Sequence, residues 1–212
     1  MFSFNLFAIP IRVEPWFWLT MVFIGGGLRA QNSLDILYVL LFMLAGFISI
    51  LVHELGHALT IRKFGLPTEI TLHGFGGYAT FPPGRLDRLQ SFLVTAAGPG
   101  LQIALALLLI VFSKFIPIPP ESLMSILVGQ LIIISIFWAL LNCLPIYPMD
   151  GGQMMAAVLG PRREHLVYLL SVFLAVAIGL ASFFFLHSFL LPIFMALFAL
   201  QNWQMYQSSA GR

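Results

Sequence analysis

The stretch Ile50-Leu51-Val52-His53-Glu54-Leu55-Gly56-His57-Ala58-Leu59 decides the fold. It lies inside a run from Ile36 to Ile61 in which His53, Glu54 and His57 are the only acidic, basic or imidazole side chains. Such a run is long enough to cross a bilayer as a helix. On a helix, His53 and His57 lie on one face, about one turn apart. Two imidazoles in that relation can bind one zinc ion, and the glutamate between them can then serve as general base. The pattern is short, and its setting gives it weight. A carboxylate at the centre of a membrane helix costs roughly 2.5–3.5 kcal/mol on insertion scales. A structural zinc site returns on the order of 10 kcal/mol or more. The cluster is a liability without metal and makes sense with it.

The rest of the composition agrees with a membrane setting. Of 212 residues, 60% are hydrophobic and 8% charged, against about 25% charged in soluble domains. The chain reads as an all-α polytopic membrane protein in a lipid bilayer. A net charge of +2 offers no basic surface for nucleic acid. Cys143 is the single cysteine, which excludes an intrachain disulfide. It reads as a small buried hydrophobe. The N-terminus lacks a basic region and a small-residue cleavage site, so it does not read as a signal peptide.

Taken in order, residues 3–14 mix β-branched and aromatic side chains with Pro10 and predict an extended edge strand at the membrane surface. A short first helix, Trp16 to Leu28, follows, weakened at its end by Gly25-Gly26-Gly27. The second helix carries the His-Glu motif and closes at Arg62 and Lys63. Thr68 to Phe81 predicts a β-hairpin turning at Gly74–Gly77. A third helix is expected from Arg85 to Phe112, kinked at Gly98-Pro99-Gly100, and a fourth from Leu123 to Leu141. Asn142 to Gln153 reads as a broken, polar interlude at membrane depth, tolerated where protein or a cavity surrounds it. Helices five and six occupy roughly Glu164–Leu186 and Phe189–Gln204. His73 reads as a hairpin surface residue, and His165 and His187 fall at helix ends.

Six spans put both termini on one side. Arg12, Arg62, Lys63, Arg85, Arg88, Arg162, Arg163 and Arg212 then share a side, with Arg29 and Lys114 opposite. The positive-inside rule makes the first side cytoplasmic. A small β element, the N-terminal strand plus the hairpin, belongs to that side. His53, nine residues before Arg62, lies about 13 Å in from the cytoplasmic end of its helix.

Two histidines make an incomplete catalytic zinc site, which usually has three protein ligands and an open position. The remaining intramembrane carboxylate candidate is Asp150, followed by two glycines that allow close backbone approach. At this point the residues carry a resemblance. His53-Glu54-Leu55-Gly56-His57, with Asn142, Pro145, Pro148 and Asp150-Gly151-Gly152 in this order and separation, resembles the site-2 protease family of intramembrane zinc metalloproteases. The likeness extends to Ile9-Pro10-Ile11-Arg12, Phe75-Gly76-Gly77 and Gly98-Pro99. It implies cleavage of a peptide bond within or next to a transmembrane segment of a membrane-protein substrate. It implies His53, His57 and Asp150 as ligands of one zinc ion, Glu54 as the base, and Asn142 as the group that positions the scissile carbonyl or stabilises its oxyanion. Where the family often has asparagine after Gly98-Pro99, this chain has Gln102, and the resemblance gives that residue no role. No PDZ or CBS module is recognisable, so residues 1–212 are expected to form a single transmembrane metalloprotease domain. The distal Asp-Gly-Gly argues against other membrane HExxH peptidases. The alternative from another class is a proteolytically inactive zinc-binding scaffold or metal carrier.

Overall fold

The structure is a computed structural model describing residues 1–116, 118–120, 122–186 and 190–210. His187 and Arg212 lie outside the described residues. The chain divides into two compact units. The first comprises Met1–Arg85 with Ala97–Leu140; the second comprises Leu86–Ala96 with Leu141–Arg212.

The first unit is built on helix α2 (Ser33–Lys63). Its start is fixed by reciprocal bonds. The Asn32 side chain accepts from the Asp35 amide at 3.0 Å, and the Asp35 carboxylate accepts from the Gln31 amide at 2.9 Å. Arg62 and Lys63 complement the dipole in its last turn, and Gly65 at φ 79° turns the chain away.

Residues 2–13 form a hairpin, β1 (Phe2–Leu6) and β2 (Ile9–Val13), rather than one extended strand. Its two-residue turn, Phe7-Ala8, has φ of 51° and 56°. That is the left-handed geometry usually supplied by Asn-Gly. The Arg62 guanidinium donates to the Phe7 carbonyl and holds the turn against the end of α2. The expected second hairpin is present as β3 (Glu69–His73) and β4 (Gly76–Thr80). All four strands form one sheet in the order β1-β2-β3-β4, with β2 and β3 parallel. Along β2 the side chains alternate: Ile9, Ile11 and Val13 are buried, Pro10 and Arg12 exposed. With Ile70 and Leu72 they pack in one core with Ile50, Leu51, Leu55 and Ala58 of α2. The sheet therefore lies alongside the His-Glu motif.

Helix α1 (Pro15–Ile24) has ten residues, about 15 Å, half of a bilayer's hydrocarbon core. It stops four residues short of the expected Leu28, where a single 3-10 turn (Gly27–Arg29) takes over. It runs beside the earlier turns of α2, with Phe17 against Phe47 and Met21 over Gly46. Sheet and short helix together pack along α2 from Phe42 to Ala58.

Helix α3 (Arg88–Phe115) continues through Pro99 as one element, and α4 (Leu123–Asn142) follows the expected bounds closely. Within the first unit α2 and α3 approach backbone to backbone: a side chain on Gly56 would strike the carbonyl of Ala97 and the Cα of Gly98.

The second unit contains an element missed in the sequence. Helix α5 (Asp150–Leu159) begins at Asp150 itself, inside the segment read as irregular. Helices α6 (Glu164–Leu186) and α7 (Leu190–Ala210) complete the unit. Among the described residues, four helical segments are long and apolar enough to cross a membrane: Ser33–Lys63, Arg88–Phe115, Leu123–Asn142 and Pro161–Phe185. These are four of the six expected spans. The first expected span is the short α1, and α7 joins an apolar first half to Gln201, Asn202, Gln204 and Gln207.

Candidate metal centre

His53 and His57 are buried on one face of α2, and their Nε2 atoms lie 3.1 Å apart. Two nitrogens sharing one tetrahedral zinc at 2.0–2.1 Å would be separated by about 3.3 Å. The spacing of the two imidazoles thus suits a common ion. Their rings meet nearly edge to face, at 80° with centroids 4.8 Å apart. Close packing fixes this pose. A side chain on Gly98 of α3 would overlap Nε2 and Cε1 of His57, so the absence of a Cβ there is what admits the ring.

Glu54 is also buried, at 3% exposure, and faces the sheet. A Cβ on Gly77 of β4 would lie 2.6 Å from Glu54 Cγ and 2.8 Å from its Oε1. The bare backbone of β4 therefore passes directly over the carboxylate. Among the described residues β4 is the outer strand of the sheet on that side.

One residue that the sequence left without a role stands behind the histidines. Gln102 is fully buried, its Oε1 3.0 Å from His53 Nδ1. Its amide nitrogen donates to Ser49 Oγ at 2.8 Å and to the Ser49 carbonyl at 3.3 Å. Ser49 Oγ in turn lies 2.9 Å from Ser135 Oγ on α4.

In the second unit, Asp150 is the first residue of α5 and is buried. A carboxylate there is favoured by the helix dipole. The two glycines behave as their small size predicts. A Cβ on Gly151 would collide with the carbonyls of Cys143 and Leu144, and one on Gly152 with the backbone of Tyr147. The loop before α5 is held at both backbone polar groups of Tyr147. Its N–H donates to Ser171 Oγ of α6 at 3.0 Å, and its carbonyl accepts from Asn202 Nδ2 of α7. At the other end of α5, Arg88 donates to the carbonyls of Ala157 (2.8 Å) and Val158. Arg88, counted in the sequence among the basic residues that share a side, thereby caps the helix that begins with Asp150. Gly160, at φ 78°, packs on that guanidinium, leaving it room.

Asn142 is the last residue of α4 and half-buried. Cys143, expected to be buried, is exposed, at the first residue beyond the end of α4. His73 ends β3, accepting from the Phe75 amide at 3.3 Å and ringed by Phe75 and Tyr78. Burial lowers its pKa, opposed by the nearby Glu14 carboxylate. It is a turn residue and stands apart from the histidine pair.

His53 and His57 in the first unit and Asp150 in the second are all buried, and each offers an atom of a kind that binds metal. Two imidazoles and a carboxylate are a donor set used by catalytic zinc.

Residues 41–119 match Peptidase family M50, a stretch that includes both histidines and ends before Asp150. A zinc metalloprotease of Methanocaldococcus jannaschii is 30% identical over 164 residues, covering 77% of this chain and 46% of that protein. A Synechocystis protein that also bears the name zinc metalloprotease is 32% identical over 163 residues, covering 73% of this chain and 42% of its own length. The chain thus spans less than half the length of either relative. In three dimensions it is similar to the site-2 protease from Methanocaldococcus jannaschii, with a TM-score of 0.68 at 23% identity, over 97% of this chain and 95% of that one. By family match and sequence relatives, the chain belongs to peptidase family M50, among proteins named zinc metalloproteases, and it shares the fold of a site-2 protease.

Proposed function

We propose that this chain is an intramembrane zinc endopeptidase, hydrolysing a peptide bond within or next to a transmembrane segment of a membrane-protein substrate. His53, His57 and Asp150 are its ligands for one zinc ion, Glu54 is the general base, and Asn142 positions the scissile carbonyl or stabilises its oxyanion. The observation that carries this reading is the pair of Nε2 atoms 3.1 Å apart on an apolar helix long enough to span a membrane, with a buried glutamate between them.

When bound, zinc supplies a Lewis acid that activates water and polarises a carbonyl. Glu54 accepts the proton of the attacking water and delivers it to the leaving amide nitrogen. The amide of Asn142 donates to the substrate oxygen as negative charge develops on it. Burial around His53 and Glu54 strengthens each of these interactions by keeping bulk water away. The side of the membrane bearing Arg12, Arg62, Lys63, Arg162 and Arg163 is cytoplasmic, with both termini there and six crossings in all.

A helical substrate hides its peptide bonds and must unwind to be cut. The unwound segment adds as a strand to the outer edge of β4, which brings its backbone over Glu54. The bareness of Gly77 against that carboxylate supports this docking. Proline at Tyr78, Ala79 or Thr80 in turn removes one β4 amide at a time, alternately from the outer edge and from the ladder with β3, so loss of cleavage counts for the docking only where the edge amide is the one removed. At one or more of these positions cleavage should fall at least about 10-fold with zinc content unchanged. Full cleavage by all three variants excludes the docking.

The function itself is tested by measuring zinc content and cleavage of a single-span substrate, using the full chain in lipid vesicles. Wild type should bind one zinc and cleave. Asp150→Ala should lose both, because two imidazoles alone hold the ion weakly. Stoichiometric zinc with no cleavage of any substrate would favour the inactive scaffold or metal carrier. Absence of zinc from the wild type would remove the site altogether.

A further inference from the structure

We propose that Gln102 is a positioning residue that fixes the tautomer and ring orientation of His53, so that its Nε2 faces the metal. This rests on the zinc reading given above and deepens it. The inference follows from the donor and acceptor inventory of a closed chain of contacts across α2, α3 and α4.

The chain starts at the Ser49 carbonyl, which can only accept. The Gln102 group 3.3 Å from it must therefore be the NH2 end of the amide, not the oxygen. The same nitrogen lies 2.8 Å from Ser49 Oγ, a hydroxyl that accepts from it and shares a further hydrogen bond with Ser135 Oγ at 2.9 Å. With the amide held in this sense, its oxygen is the atom 3.0 Å from His53 Nδ1. An amide oxygen can only accept, so the proton of a neutral His53 resides on Nδ1. Nε2 is left as the acceptor nitrogen, turned toward His57 Nε2 at 3.1 Å. A flipped amide would set oxygen against the Ser49 carbonyl and NH2 against Nδ1, which would favour the tautomer with its proton on the metal-facing nitrogen.

Burial makes the arrangement binding. Ser49, Gln102 and Ser135 all have 0% exposure. Water does not compete for these groups, and an unmade bond among them would carry its full desolvation cost. Partners of this kind, bonded to the far nitrogen of a ligand histidine, typically change metal affinity by about 10–100-fold when removed.

The experiment uses the full-length chain and two readouts. The first is the ring 15N spectrum of His53 in zinc-free protein, which reports the tautomer with no metal present. The second is zinc affinity, measured by competition with a chelator. Wild type should show His53 protonated at Nδ1. Gln102→Leu, which removes the acceptor but keeps a buried side chain, should lose that preference and bind zinc about 10–100-fold more weakly. Gln102→Glu keeps an acceptor oxygen for Nδ1 and, protonated in this buried place, donates from its second oxygen to Ser49 as the NH2 did, so it should recover both the tautomer and affinity to within about threefold of wild type. An unchanged His53 tautomer in Gln102→Leu overturns the proposal. Equal loss of zinc affinity in the Leu and Glu variants, which would make Gln102 a packing residue, also overturns it. The tautomer readout stands whether or not the wild type binds zinc, so failure of this inference is separable from failure of the zinc assignment.

Discussion

Glu54→Gln is expected to abolish measurable proteolysis while leaving zinc binding intact. Glutamine matches the buried glutamate in size and shape, so its place under β4 can be filled without repacking. It cannot take up the proton of an attacking water. Loss of a general base typically lowers rates by roughly 100- to 10,000-fold. The two imidazoles are untouched, so zinc content measured on the purified variant should equal that of wild type. Cleavage by Glu54→Gln within about threefold of wild type would remove Glu54 from the role of base, and the proposed chemistry with it. Loss of zinc in this variant would instead assign Glu54 to holding the site together.

The second large effect comes from adding one methyl group at either of two glycines. At Gly98 the new Cβ would overlap the metal-facing edge of the His57 ring; at Gly77 it would press on the side chain of Glu54. Overpacking a tight site costs about 1–3 kcal/mol. Each cost should appear in a different observable, because a different functional group must move. Gly98→Ala should weaken zinc binding by about 10- to 100-fold and reduce cleavage with it. Gly77→Ala should keep zinc and lower cleavage by a similar factor. Neither residue has the positive φ that would make alanine strained on its own account. Identical zinc affinity in wild type and Gly98→Ala would show that the ring finds another pose. A normal turnover rate in Gly77→Ala would show the same for the carboxylate.

Much of this architecture could be read directly from the residues, and the exceptions have physical causes. The α2, α4 and α6 segments were legible because long apolar runs end at charged or polar residues. The second hairpin was legible because Gly74 to Gly77 signals a turn. The first hairpin was not. Its turn places Phe7 and Ala8 at positive φ, where neither residue is expected, and the Arg62 bond that steadies it comes from 55 positions away. Helix α5 was hidden because its second and third residues are glycines, among the poorest helix formers, and Pro148 stands two positions before its start. Those glycines serve contact with the preceding loop rather than helix propensity. In the candidate centre, the two histidines are local in sequence and announce themselves. Gln102 does not, since 49 positions separate it from His53 and a lone glutamine in an apolar helix carries no pattern. The capping role of Arg88 was hidden for the same reason. Its partners, Ala157 and Val158, lie on another element, and a flanking arginine at a membrane helix looks alike whether it sets topology or caps a neighbour.

The grip on the Tyr147 peptide unit reaches furthest along the chain. Ser171 stands 24 positions later and Asn202 stands 55 later. The segment leading into Asp150 is therefore not shaped by its own sequence alone. During synthesis the histidine pair is complete once α2 exists, but the loop before Asp150 acquires its second anchor only when the chain has grown through residue 202. Helix α7, which by composition looks like lipid-facing bulk, is in this sense one tooth of a key: the loop that presents the aspartate is held at both of these points only after Asn202 has been made.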